Sequence, residues 1–160
     1  MKLLSRRTAM FCLAALLCAG CNQQTHDTEV DEEAIRAWLD RYVANNNAGD
    51  FDAYGGFWAE DATWLPPDAP LVEGREAILD YARPFFEGYT ISQRFAVEEI
   101  EVADRFAFAR VNSTERYTPT ADAGEPLDLS VKAIFILRRK PDGSWVATHC
   151  VWNNNAPPSQ

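Results

Sequence analysis

Tyr42, Arg110, His149 and Cys150 are the side chains whose neighbours in the sequence raise a chemical question. Tyr42 belongs to the series Ile35, Trp38, Leu39, Tyr42 and Val43. Their spacing of i, i+3, i+4, i+7 and i+8 puts the phenol on the apolar stripe of a helix predicted over 31–47. A phenol in such a place needs a hydrogen-bond partner, and a ligand oxygen is one way to supply it. Arg110 alternates with Phe106, Phe108, Asn112 and Thr114 on one face of a strand predicted over 106–117, with Ala107, Ala109, Val111 and Ser113 on the other. A guanidinium cannot shed its proton and is costly to bury alone, so two partners stay open. One is a protein carboxylate, on a neighbouring strand or at Glu115, and the other is a bound anion. On the final strand His149 shares a face with Trp145, Ala147 and Val151, and Cys150 shares the other with Thr148 and Trp152. A lone histidine on a strand is more often a hydrogen-bonded surface or interface residue than a base, so catalysis by His149 is the lesser of two readings. His26 is far off in a polar stretch, and these few ligands form no cluster. Neither a metal nor another cofactor is expected.

The elements that must hold these residues follow from periodicity and punctuation. After the first helix, Gly49 suits a left-handed helix stop and Asp50 suits the cap of a second helix, with Phe51, Tyr54 and Trp58 on its inner face. A short strand at 62–65 ends at Pro66-Pro67. The polar loop 68–73 leads through Gly74 into a third helix over 75–82, with Ile78, Tyr81 and Phe85 inward and Pro84 ending or kinking it. From Ser92 the period becomes two, giving strands at 95–102, 106–117, 127–139 and 145–153, with turn chemistry at Pro141-Asp142-Gly143. Helices first and strands after is an α+β order.

The N-terminus sets an address. Residues 1–20 have the layout of a secretion signal, with Lys2, Arg6 and Arg7 ahead of the apolar run 9–17 and then small residues. That run is too short to span a bilayer. Leu17-Cys18-Ala19-Gly20-Cys21 resembles a bacterial lipobox, which implies cleavage before Cys21 and acylation of its thiol. Acyl chains would hold the domain at a membrane by about 0.8 kcal/mol per buried methylene, so the folded part need not touch lipid. Residues 22–30 read as a tether and 155–160 as a tail, leaving 31–154 for one domain with one core. Asn22, where an aspartate often marks retention at the inner membrane, leans towards the outer membrane facing the periplasm. Without the signal, 12 basic residues face 24 acidic ones. Such a balance repels phosphate backbones and argues against nucleic acid. Cys150 is the one cysteine left after the signal and Cys21, so no intrachain disulfide is expected.

The run Arg41-Tyr42-Val43-Ala44, then Asn47-Ala48-Gly49-Asp50, Asp52 and residues 59–63, resembles the opening of the ketosteroid isomerase and SnoaL-like proteins of the NTF2-like superfamily. The resemblance extends more thinly over 32–154. It implies a cone in which three N-terminal helices pack on a curved antiparallel sheet around a cavity. Within that cone the resemblance puts Tyr42, Phe108, Arg110, Asn112 and Trp152 at lining positions, joined by Trp58, Trp64 and Tyr81. Each aromatic has an equally plain explanation as core, since burying one is worth roughly 1.5–3 kcal/mol without any ligand.

A ketosteroid isomerase needs a carboxylate base and two acids, a tyrosine and a protonated aspartate. Tyr42 matches the tyrosine, but Pro66 stands at the base and Ala133 at the aspartate. That activity is not expected. Asp61 and Asp68 are the acids placed to serve as relocated bases, against simpler roles in a turn and a loop. The leading expectation is an envelope lipoprotein whose pocket holds a small organic molecule, with Arg110 and Tyr42 on an oxygen-bearing or anionic group. A second is a homodimer or other assembly, because Ile134 and Ile136 lie opposite Ala133 and Phe135 on an apolar strand and need cover.

Overall fold

In a computed structural model that describes residues 28–121 and 124–155, helix α1 spans Thr28–Ala48 and buries Ile35, Trp38, Leu39 and Tyr42 along one stripe. The stripe continues through Asn45 and Asn46, which are buried, while Val43 is only half-buried. Gly49 ends the helix at φ 67°, and the Asp50 carboxylate accepts from the backbone N–H of Ala53 at 3.0 Å to cap α2, Phe51–Tyr54. Gly55 and Gly56 disfavour further α-helix, and a single 3-10 turn, Gly55–Phe57, follows. Trp58, expected on that helix, is instead the first residue of strand β1, Trp58–Leu65.

The loop expected over 68–73 contains a two-residue strand β2, Val72–Glu73, paired with β1. Helix α3 runs Arg75–Gly88, straight through Pro84. Phe86 packs on Phe51 and Tyr54, and Phe85 meets the Tyr117 ring, which offsets the amide hydrogen bond that proline cannot make. Four long strands follow: β3 Tyr89–Ala103, β4 Phe106–Pro119, β5 Leu127–Arg139 and β6 Trp145–Asn154. They form a six-stranded sheet in the order β2-β1-β6-β5-β4-β3. The sheet is mixed rather than wholly antiparallel, because β1 joins the edge of β6 in parallel. Register shifts in the β1/β6, β3/β4 and β5/β6 pairs bend the strands.

Helices α1, α2 and α3 cover one face of this sheet, and the core lies between. On β4 the inward face is Ala107, Ala109, Val111 and Ser113, all buried, which reverses the face expected to line a cavity. Ala109 lies in register between Ile100 and Phe135, and its small size leaves room for the Phe135 ring to reach Trp38 and Tyr42. Turning Arg110 inward would cost its hydration for no partner. On β6 the irregularity opposite Ile136 and Leu137 carries an extra residue, Thr148, so Ala147 and Cys150 are both buried although the count between them is odd. Strict alternation had put them on opposite faces.

Candidate functional site

The second half of α1 and the C-terminal half of α3 stand off the sheet enough to leave a cavity of about 160 Å³. Its floor is a pair of tyrosines. The hydroxyls of Tyr42 and Tyr54 lie 3.1 Å apart, and both residues are buried. The Tyr42 ring stacks on Trp38 at 5.6 Å and on Phe95 at 5.9 Å, and meets Phe135 edge-on. Burial, reinforced by the nearby Cys150 thiol, pushes the Tyr42 phenol well above its ordinary range, and burial does the same for Tyr54. Both phenols stay protonated and able to donate. Burial also raises the Cys150 thiol, with the Glu115 charge adding to it, so this sulfur is not an activated nucleophile.

One wall carries a polar relay. Asn46 Nδ2 donates to Gln93 Oε1 at 2.8 Å, and Gln93 Nε2 donates to Glu115 Oε1 at 2.8 Å. From the other side the Tyr117 hydroxyl donates to Glu115 Oε2 at 2.7 Å. Burial first and the Glu115 charge second raise the Tyr117 phenol. The rest of the wall is rings in sequence: Trp64 to Tyr81 at 5.8 Å, Tyr81 to Phe85 at 6.2 Å, Phe85 to Tyr117 at 6.1 Å and Tyr117 to Tyr89 at 5.9 Å. The Ser113 hydroxyl, also on the lining, is buried with no hydrogen-bond partner among the described residues. Among the described residues Glu115 is the one charged side chain that lines the cavity.

Tyr42, Trp64, Tyr81 and Trp152 are brought together on this lining. Trp58 is not among them. It is fully buried behind the cavity, against Tyr54, Trp64 and Phe135. Phe108, Arg110 and Asn112 sit on the opposite face of the sheet, where Arg110 Nε is 3.0 Å from Glu99 and Asn112 Nδ2 donates to Glu98 at 3.0 Å. Arg110 therefore has the protein carboxylate as its partner, supplied by β3. Asp61 is also on the outside, held by two bonds from Arg138 at 2.7 and 3.0 Å that lower its carboxyl pKa. Asp68 occupies an exposed turn at φ 54°. His149 is exposed, with Nδ1 3.1 Å from Thr148 Oγ1. None of these three lines the cavity, and no group of three or more His, Cys, Asp or Glu among the described residues could hold a metal ion. Cys21 lies outside the described residues.

Asn46, Tyr54, Gln93, Glu115 and Tyr117 are the polar lining that sequence reasoning missed. A signal for two of them existed. Along β4 the outward set Arg110, Asn112, Thr114 and Arg116 is wholly polar, so parity assigns Glu115 and Tyr117 inward with Val111. Gln93 was hidden because β3 begins at Tyr89, ahead of the periodic stretch that reveals it.

Among solved structures the chain is similar to a conserved protein from Planctomyces limnophilus DSM 3776, with 23% identity, a TM-score of 0.72, and coverage of 79% of this chain and 98% of that one. It is also similar to a ketosteroid isomerase-like protein from Erwinia carotovora atroseptica SCRI1043, at 21% identity and TM-score 0.68 over 83% of this chain and 99% of the other. A putative scytalone dehydratase from Novosphingobium aromaticivorans DSM 12444 aligns at 14% identity and TM-score 0.70, over 80% and 86% of the two chains. At these identities the likeness speaks for the fold. No curated protein sequence matches the chain. The profile of the SnoaL-like domain matches residues 32–148, from the first turns of α1 to the middle of β6, and the chain belongs to that family, with the NTF2-like fold.

Proposed function

We propose that this protein binds a small, largely apolar organic molecule in the cavity between α1, α3 and the sheet. The observation that carries the reading is an aromatic cavity of about 160 Å³ with hydrogen-bonding groups at its floor and one wall. A cavity of roughly 150 Å³ takes a benzene-sized ring, so the guest has about one ring's bulk. Tyr42 donates from the floor, and the rings of Trp64, Tyr81 and Trp152 clasp the apolar body. Recognition of an anion through Arg110 drops out, because that guanidinium is on the far face with Glu99. Asp61 and Asp68 are outside the cavity, so the reading gives them no chemistry. Titration of benzyl alcohol into the full-length protein, followed by tryptophan fluorescence and calorimetry, is expected to show saturable binding that Trp64→Ala abolishes and Tyr42→Phe weakens. Binding unaffected by both substitutions would remove the cavity from the account.

A second reading concerns the outer face and is compatible with the first. Leu65, Val151 and Ile134 lie in register across β1, β6 and β5, and Ile136 is next to them, each more than a third exposed. Two of the arginines near them are paired within the chain, Arg110 by Glu99 and Arg138 by Asp61, while Lys132, two residues before Ile134 on the same face, is exposed. An apolar patch whose flanking arginines are already paired suits its own copy across a two-fold axis. The expectation is a homodimer by sedimentation that Ile134→Glu makes monomeric; a wild-type monomer at high concentration would end it. Attachment to the membrane through acylated Cys21, in the cell envelope, completes the proposal. It rests on the lipobox-like sequence and is checked by palmitate incorporation that Cys21→Ser removes.

A further inference from the structure

The cavity carries a charge that the described residues do not neutralise. Glu115 receives hydrogen bonds from Gln93 and Tyr117, both neutral donors. Neither oxygen is in an ion pair, and no Lys, Arg or His is on the cavity lining among the described residues. By contrast the β4 arginines on the outer face are each matched, Arg110 by Glu99 and Arg116 by Asp128. A carboxylate oxygen has two lone pairs, so each Glu115 oxygen keeps one acceptor site after its internal bond. Beside it stands a corner of rings: Tyr117, bonded to the carboxylate, with Phe85 and Tyr89 at about 6 Å from the Tyr117 centroid. Ring faces attract cations, and a carboxylate next to them adds a full opposite charge. The chain's formal charge of −9 brings cations towards it at long range.

We infer that the guest is a small organic cation, an amine or quaternary ammonium carrying about one ring of apolar bulk, whose charged end sits between Glu115 and the Tyr117, Phe85 and Tyr89 rings. The inference rests on the ligand-binding reading of the same cavity and narrows it. It also inverts the charge preference expected from Arg110. The relay from Asn46 through Gln93 has a definite part: both amides donate onward, so the carboxylate is held at the wall with its free lone pairs available to the guest.

The test compares three probes of nearly one shape on the full-length protein: benzyltrimethylammonium, its neutral carbon isostere neopentylbenzene, and the anion phenylacetate. The expected result is that the ammonium binds about tenfold or more tightly than the isostere and that phenylacetate binds least. Glu115→Gln should bring the ammonium down to the level of the isostere. Tyr117→Phe keeps the carboxylate and should preserve the order of the three probes. The wild-type comparison needs no variant and so survives a folding defect in Glu115→Gln. If the isostere binds, is lost with Trp64→Ala, and equals or exceeds the ammonium, the cavity reading stands and this inference falls. If no probe binds, both fall.

Discussion

The two faces of the sheet use the same residue types and treat them oppositely. On the outer face Arg110 with Glu99, Arg116 with Asp128 and Arg138 with Asp61 are exposed pairs in contact with water. On the helix-covered face Arg139 and Asp31 form a bidentate pair that joins the first turns of α1 to the end of β5, with the guanidinium also 4.3 Å over the Trp145 ring. The side chains of that pair are only 11% and 6% exposed. The lesson is that a charge on this sheet is defined by its side: outside it is optional, inside it is structural or, at Glu115, left for a guest.

Breaking the inner pair should have the largest effect. Arg139→Ala leaves Asp31 buried without its cation and removes the ring contact, and the expected loss is about 3–5 kcal/mol. Chemical denaturation measures it directly. A loss comparable to that of the outer pairs would mean that the inner face is wetter than its burial indicates.

Alkaline pH separates the faces next. Folded-state pKa values of Cys150, Tyr42, Tyr54 and Tyr117 are all raised, chiefly by burial, from ordinary values of 9.0 for the thiol and 10.0 for the phenols. Above those ordinary values the unfolded chain releases protons that the folded chain retains. Stability is therefore full below about pH 9 and falls as pH rises beyond it. Cys150→Ala should flatten the start of that fall and Tyr54→Phe its continuation. The outer face has the opposite sense: the Asp61 carboxyl is lowered by Arg138, so its small contribution is present above the ordinary carboxylate value of 3.8 and disappears in acid. Melting temperatures across pH read both.

Much of this organisation is legible in the sequence, and the part that is not has identifiable causes. The stripe through Tyr42, the stop at Gly49 and the cap at Asp50 are local, so spacing and turn chemistry suffice to find them. The bounds of β5 likewise follow from a sustained two-residue period. Helix α3 outlasts Pro84 because Phe85 and Phe86 find rings distant in sequence, which no local rule sees. The faces of β4 were inverted because the resemblance placed Phe108, Arg110 and Asn112 on the lining, whereas the core there needs alanines beside Phe135. On β6 one extra residue at Thr148 reverses alternation, so Trp152 fell on the correct side while Ala147 did not. The polar lining depends on which side of β4 is inside, and that single inversion exchanged a cationic site for an acidic one.

Tyr42→Phe probes the inner face more gently. It removes one hydroxyl from the pair with Tyr54 and leaves the stacking on Trp38 and Phe95 in place. The expected stability cost is about 1–3 kcal/mol, because the buried Tyr54 hydroxyl is left short of its partner. Tyr42→Phe with Tyr54→Phe should cost less than the sum of the two single changes, because neither hydroxyl is then left stranded.

The smallest effect is expected from Arg110→Ala. Its pair with Glu99 is nearly half exposed on both sides and screened by salt, so unfolding free energy should change by at most about 1 kcal/mol. Ligand affinity should not fall at all, since the side chain points away from the cavity. That null result separates the two faces as clearly as the large loss at Arg139 does. If Arg110→Ala weakened binding of the benzyl probes while stability was kept, the guanidinium would have to reach the guest by a route absent from the present arrangement of β4, and the assignment of charge by side would be wrong at the strand that supplies both.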